Sequence, residues 1–128
     1  MITKFWLLKP KHHYTRYKVT ITFNTINMKE FDDIIKEPRP TLVDFFATWC
    51  GPCKMQSPII DDVKKTVGDK ANVLKVDVDQ SRRLSALYQI RSVPTLMIFK
   101  DGEPVWRASG VHTKEQLVDK LNEIVDGN

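Results

Sequence analysis

Cysteine is scarce in this chain, two residues in 128, and both stand in one short stretch as Cys50 and Cys53. Histidine is nearly as rare, with only His12, His13 and His112. A structural zinc site usually takes four such ligands, so the cysteine pair supplies half a site and little is left to complete it. No metal is expected. Long apolar runs are also missing: none approaches the ~18–20 residues that span a bilayer, which excludes an integral membrane protein built on helices. Acid is absent from residues 1–27, which carry Lys4, Lys9, Lys11, Arg16 and Lys18, while residues 28–128 hold 15 basic and 16 acidic side chains. The formal charge of +4 therefore belongs to an extension. A folded body without net basicity argues against a nucleic-acid face, which needs Lys and Arg clustered on one surface.

The 128 residues, 41% hydrophobic and 28% charged, fit one soluble domain large enough to bury a core. Residues 1–17 are expected to be a basic, disordered extension and residues 18–128 the folded domain. The four apolar residues Phe5–Leu8 fall short of the ~7–15 of a signal peptide and Lys9-Pro10-Lys11 ends them, so export is not expected. Val19, Ile21 and Phe23 alternate with polar residues as a half-buried strand does. Asn27 then caps a helix with Phe31, Ile34 and Ile35 on one stripe, stopped by Pro38 and Pro40. Thr41–Ala47 reads as a strand covered on both faces and interrupted by one charge, Asp44. A helix follows from Cys50–Cys53 to about Val67, with Pro58 inside it as a kink and Ile59, Ile60, Val63 and Val67 facing inward. Asn72–Val78 is another strand, and Leu84, Leu87 and Tyr88 mark a short helix. Thr95–Phe99 and Glu103–Ala108 form a hairpin about Asp101-Gly102. Thr113 caps a last helix with Leu117, Leu121 and Ile124 inward, joined by Val118 and Val125. The order is β-α-β-α-β-α-β-β-α, parallel crossovers followed by an antiparallel hairpin, and it closes most naturally as a mixed central sheet between helices.

The cysteines allow several readings. A permanent clamp closing so short a loop removes little unfolded-state entropy. Two inert buried thiols leave the neighbouring residues unexplained. Redox chemistry accounts for more of them. A strand ending at Ala47 and a helix opening inside the motif place Cys50 at a helix N-terminus, where free N–H groups and the dipole favour thiolate. Gly51 permits a tight turn, and Pro52 fixes φ in the first helical turn without wasting a donor. Cys53, one turn in, is close enough to resolve a mixed disulfide, so the pair can cycle between dithiol and disulfide.

The stretches LVDFFATWCGPCKMQSPII, VLKVDVDQ, IRSVPTLMIFKDGE and ASGVHTKEQL, in this order and spacing, resemble the thioredoxin family over roughly residues 19–126. The resemblance implies an α/β thioredoxin fold, three layers α/β/α, with a mixed sheet of about five strands and four helices. It implies a thiol–disulfide oxidoreductase that reduces disulfides in other proteins. Cys50 would be the nucleophile and Cys53 the resolving cysteine. Pro94 matches the family's cis-proline, and Trp49, Gly51, Pro52 and Pro94 would set the site geometry. Trp49, Val93, Pro94, Gly110 and Val111 would form a flat, largely apolar docking face, with Val93 pairing to an extended substrate segment. No cofactor would be bound; electrons would come from NADPH through a thioredoxin reductase. The partners implied are that reductase and disulfide-bearing proteins, for a cytoplasmic monomer that binds neither nucleic acid nor membrane.

Asp44 has two readings: a structural carboxylate paired with Lys75 on the next strand, or, by the resemblance, a proton acceptor behind Cys53 assisted by Lys75. The chain departs from the commonest family pattern at Phe46, often a second tryptophan, and at Gln56, often apolar. His112 is expected to be an exposed loop residue, and Trp106 a packing or surface residue. Two alternatives stand beside the reductase. An exported oxidant or isomerase is disfavoured by the Gly-Pro pair between the cysteines, and a non-enzymatic binding module would leave the thiols incidental.

Overall fold

The computed structural model describes residues 26–127. The strand expected over 19–23 and the boundary between extension and domain lie outside them. Within them the chain forms α1 (Met28–Ile35), β1 (Thr41–Phe46), α2 (Gly51–Val67), β2 (Asn72–Asp77), α3 (Arg82–Leu87), β3 (Thr95–Lys100), β4 (Glu103–Ser109) and α4 (Lys114–Asp126), with a 3₁₀ turn at Gly68–Lys70. The sheet order is β2-β1-β3-β4. Four strands are thus found among the described residues where about five were expected.

Local signals set most boundaries. The Asn27 side chain accepts the Glu30 N–H while Glu30 reaches back to the Asn27 N–H, and Thr113 and Gln116 form the same reciprocal cap on α4. Asp101 and Gly102 both have positive φ, 54° and 85°, as a two-residue hairpin turn with the twist of its strands requires. α2 runs unbroken through Pro58.

β1 pairs parallel with β2, from Thr41 opposite Asn72 to Phe46 opposite Asp77, and antiparallel with β3, from Thr41 opposite Phe99 to Phe45 opposite Thr95. The direction of β3 corrects the expectation of successive parallel crossovers. β1 runs parallel to β2 but antiparallel to β3, so β2 and β3 point in opposite directions on either side of it. The chain therefore leaves β2 and enters β3 at the same end of the sheet.

The two sheet faces carry separate cores. Val43, Phe45, Leu74, Val76, Met97 and Phe99 pack against Phe31, Ile34 and Ile35 of α1 and Leu84 of α3. On the other face, Leu42, Leu96 and Ile98 pack against Ile60, Val63 and Val67 of α2 and Leu117 and Leu121 of α4. By the alternation of a strand, Asp44 shares the face of Leu42 and looks toward α2. Ile59, Val118 and Ile124 pack at the margin of this core and Val125 is half-buried, so the inward stripes are narrower than expected.

Candidate active site

The site is built where β1 hands the chain to α2. Cys50 is the N-cap of α2, with extended φ and ψ of −94° and 118°, and its Sγ accepts the Cys53 N–H at 3.1 Å. That bond satisfies one of the helix's unpaired donors with sulfur in place of oxygen. The two sulfurs are joined, with Cα atoms 5.3 Å apart, so the structure shows the oxidised form. Both cysteines are buried and pack with Ala47, against which Phe46, Val78 and Val93 lean. Pro52 sits in the first turn, as expected. Gly51 differs: it is helical, and a Cβ there would meet nothing within 4 Å. The turn is made by the extended backbone of Cys50, so Gly51 leaves open space before the sulfurs and is not required by the turn.

Trp49 is 70% exposed, and its Nε1 donates to Asp79 Oδ2 at 2.9 Å. Asp79 escaped the sequence reading. Its only signal was its place just past the end of β2, where Asp77 Oδ1 accepts the Asp79 and Gln80 N–H groups in a tight turn. The Val93–Pro94 bond is cis, and the Val93 carbonyl oxygen lies 3.6 Å from Cys50 Sγ. Gly110, at φ 87°, donates its N–H to the Pro94 carbonyl at 2.9 Å. Val111 follows, 41% exposed. Trp49, Gly51, Pro52 and Val111 are exposed, Val93 and Gly110 half-buried and Pro94 buried, so the expected docking residues sit on the turn and loops that meet beside the sulfurs. His112 is half-buried rather than exposed: its Nδ1 lies 2.9 Å from the Gly110 carbonyl and its ring stands edge-on to Trp106. Trp106 is a packing residue at the margin of the second core.

Asp44 is 1% exposed, and neither carboxylate oxygen has a hydrogen-bond partner. Desolvation pushes its carboxyl up to about 7, and the Lys75 ammonium pulls in the opposite direction. Lys75 lies opposite Asp44 in the strand register but does not bond to it. Its Nζ donates to Ser57 Oγ and pairs with Asp61 Oδ1, each at 2.7 Å, both on α2. The structural ion pair between Asp44 and Lys75 is therefore not formed, and Lys75 reaches Asp44 only through its field. A buried, unpaired carboxyl titrating near neutrality on the face of α2 that carries Cys53 is suited to take and return a proton.

The thioredoxin family model matches residues 22–123. The chain belongs to the thioredoxin family. It is 45% identical over 93 residues to a thioredoxin of Staphylococcus saprophyticus, covering 73% of this chain and 88% of the relative. To a thioredoxin of Rickettsia typhi it is 38% identical over 102 residues, covering 80% and 97%. A solved mutant thioredoxin from Halobacterium salinarum superposes with a TM-score of 0.73 at 34% identity, covering 80% of this chain and 88% of that one. With the family's cysteine pair in place, this thioredoxin-family protein is a thiol–disulfide oxidoreductase that reduces disulfides in other proteins. The family needs no bound cofactor, and among the described residues no group of three or more His, Cys, Asp or Glu could hold a metal ion. No described helix is long and apolar enough to cross a membrane.

Proposed function

We propose that Cys50 is the attacking and Cys53 the resolving sulfur, with Asp44 as the proton acceptor of the second step. The observation that carries this is the place of Cys50 Sγ: it caps α2, takes a backbone N–H, and lies beside the Val93 carbonyl at the docking face. In the reduced protein the same N–H and helix dipole favour a Cys50 thiolate. That thiolate attacks one sulfur of the substrate disulfide, and the other sulfur leaves as a thiolate. Cys53 gives its proton toward Asp44 and attacks Cys50, breaking the mixed disulfide. Two electrons pass to the substrate, and the Cys50–Cys53 bond forms. Trp49, Val93, Pro94, Gly110 and Val111 receive the substrate, with the Val93 backbone available to an extended segment. A thioredoxin reductase drawing on NADPH restores the dithiol. The reducing direction is in keeping with the Gly-Pro pair between its cysteines, and the protein works as a cytoplasmic monomer.

The order of the sulfurs is tested by trapping. Cys53→Ser should accumulate covalent adducts with disulfide-bearing proteins, and Cys50→Ser almost none. Equal trapping by both variants would overturn the assignment.

A further inference from the structure

Gln56 lies on α2 three residues beyond Cys53, on the same inward face. Its side chain is fully shielded from water, and an amide so placed must find partners inside the protein. Both of its groups go to one residue. Gln56 Oε1 accepts the His112 N–H at 2.7 Å, and Gln56 Nε2 donates to the His112 carbonyl at 3.1 Å. Two antiparallel bonds to one peptide segment fix its orientation as well as its distance, as pairing between strands does.

The segment held in this way is the one at the docking face. Its other end is tied to the cis-proline loop by the Gly110 N–H on the Pro94 carbonyl. The His112 ring closes on the Gly110 carbonyl and is braced by Trp106. Val111 is therefore the middle of a three-residue bridge, fastened at one end to the loop beside Cys50 and at the other to the helix that carries both sulfurs. An aliphatic side chain at position 56 would fill the same space and hold neither the N–H nor the carbonyl of His112.

We propose that Gln56 is a positioning residue for substrate docking, its two-point bond to the His112 backbone setting Gly110 and Val111 in register with Cys50 for an extended segment of a disulfide-bearing protein. This rests on the reading of Gly110 and Val111 as docking residues. Gln56 touches neither substrate nor sulfur, so its loss should weaken the docking of protein substrates and leave the exchange chemistry alone.

The test is single-turnover oxidation of the pre-reduced full chain, followed by tryptophan fluorescence against insulin or against the small disulfide cystamine. Gln56→Met keeps the volume and removes both bonds. It should raise the half-saturating insulin concentration about three- to tenfold while the limiting rate and the cystamine rate stay within about twofold of the parent. Gln56→Glu keeps the acceptor for the His112 N–H and loses the donor to the carbonyl, so its rise should be smaller; it also carries the test if Gln56→Met does not fold. Exchange of the His112 amide hydrogen should quicken in step with half-saturation across the two variants. Unchanged half-saturation in a folded variant with quickened His112 exchange would overturn the proposal, and so would equal slowing with insulin and cystamine. Val111→Asp separates the two layers. If it raises half-saturation and Gln56→Met does not, positioning by Gln56 falls alone; if neither does, the docking reading falls with it.

Discussion

Glu37, just before β1, and Asp44, in the middle of it, are both withdrawn from water, at 4% and 1% exposure. Their surroundings are opposite. Glu37 Oε1 accepts from Arg39 Nε and from Asn72 Nδ2, each at 3.1 Å, and Arg39 also donates to the Asp69 carbonyl. Its second oxygen has no partner, yet the group as a whole has a cation and an amide to hold its charge. Asp44 has neither, and the lysine opposite it is engaged with Ser57 and Asp61. Burial alone thus does not decide what a carboxylate does. With a partner it fastens the start of the sheet to the loop before it; without one it is left able to exchange a proton on the face of β1 turned toward α2.

The largest effect that would break this contrast is expected at Asp44. If Asp44 accepts the Cys53 proton as proposed, Asp44→Asn should slow the resolving step at pH 7–8 on the order of 10²-fold, read as the decay of the mixed disulfide. Stability should move the other way. Because burial raises the folded-state pKa to about 7, folding favours the protonated form. The contribution of Asp44 to stability is whole below the unfolded carboxyl value of about 3.9, falls as pH rises, and is gone above about 7. Ionised Asp44 then costs the fold roughly 4 kcal/mol, at ~1.4 kcal/mol per tenfold change in proton affinity. Asparagine escapes that cost but leaves its own amide unpaired, so Asp44→Asn should gain about 2–3 kcal/mol at pH 8. Near pH 4 the ionisation cost is nearly gone while the unpaired amide remains, so the gain should reverse to a loss of about 1 kcal/mol. Urea denaturation at the two pH values measures it, and a loss of stability at pH 8 would put Asp44 in the same class as Glu37.

Glu37→Gln is the opposing experiment. Both hydrogen bonds to Oε1 have a donor ready, but the charge that strengthens them is gone, and a loss of about 1–3 kcal/mol is expected. Disulfide exchange should be unchanged, since Glu37 stands before the start of β1 and the sulfurs lie beyond its other end. A stabilised Glu37→Gln protein would show that the two buried carboxylates do not differ in kind.

The contrast also marks what the sequence could show. Features coded within a few residues were legible: the caps at Asn27 and Thr113, the Asp101-Gly102 turn, and Cys50 at the head of α2. Thr41–Ala47 read correctly as a buried strand, and Asp44 stood out within it because a charge there has no local cause. Glu37 gave no such signal, since a glutamate between Lys36 and Pro38 reads as an exposed turn residue. Its burial depends on Asn72, 35 positions away. The bond of Trp49 to Asp79 and the clamp of Gln56 on His112 likewise join segments far apart in the chain, which no local pattern encodes. The direction of β3 was missed for a related reason: alternation of apolar residues reports which face a side chain takes and is silent on the direction of the strand.

The smallest expected effect sharpens the comparison most, because it tests why Asp44 lacks a partner. Lys75 bonds Ser57 Oγ and Asp61 Oδ1, so α2 holds the ammonium that would otherwise be free to lean across the sheet register toward Asp44. Asp61 is 58% exposed, and removing so solvated a partner should change stability by less than about 1 kcal/mol. Asp61→Asn nevertheless removes the competing anion. The Lys75 charge then acts more strongly on Asp44, favours its ionised form, and lowers its pKa from the present value of about 7. The pH at which Asp44 loses its proton, followed by the carboxyl carbon resonance, should fall, and the decline of stability with pH should begin at the same unfolded value but end at a lower pH and a smaller total loss. Asp61→Ala should act in the same direction. An unmoved or raised titration in both variants would show that Lys75 is held in place by Ser57 alone, and that the isolation of Asp44 owes nothing to Asp61.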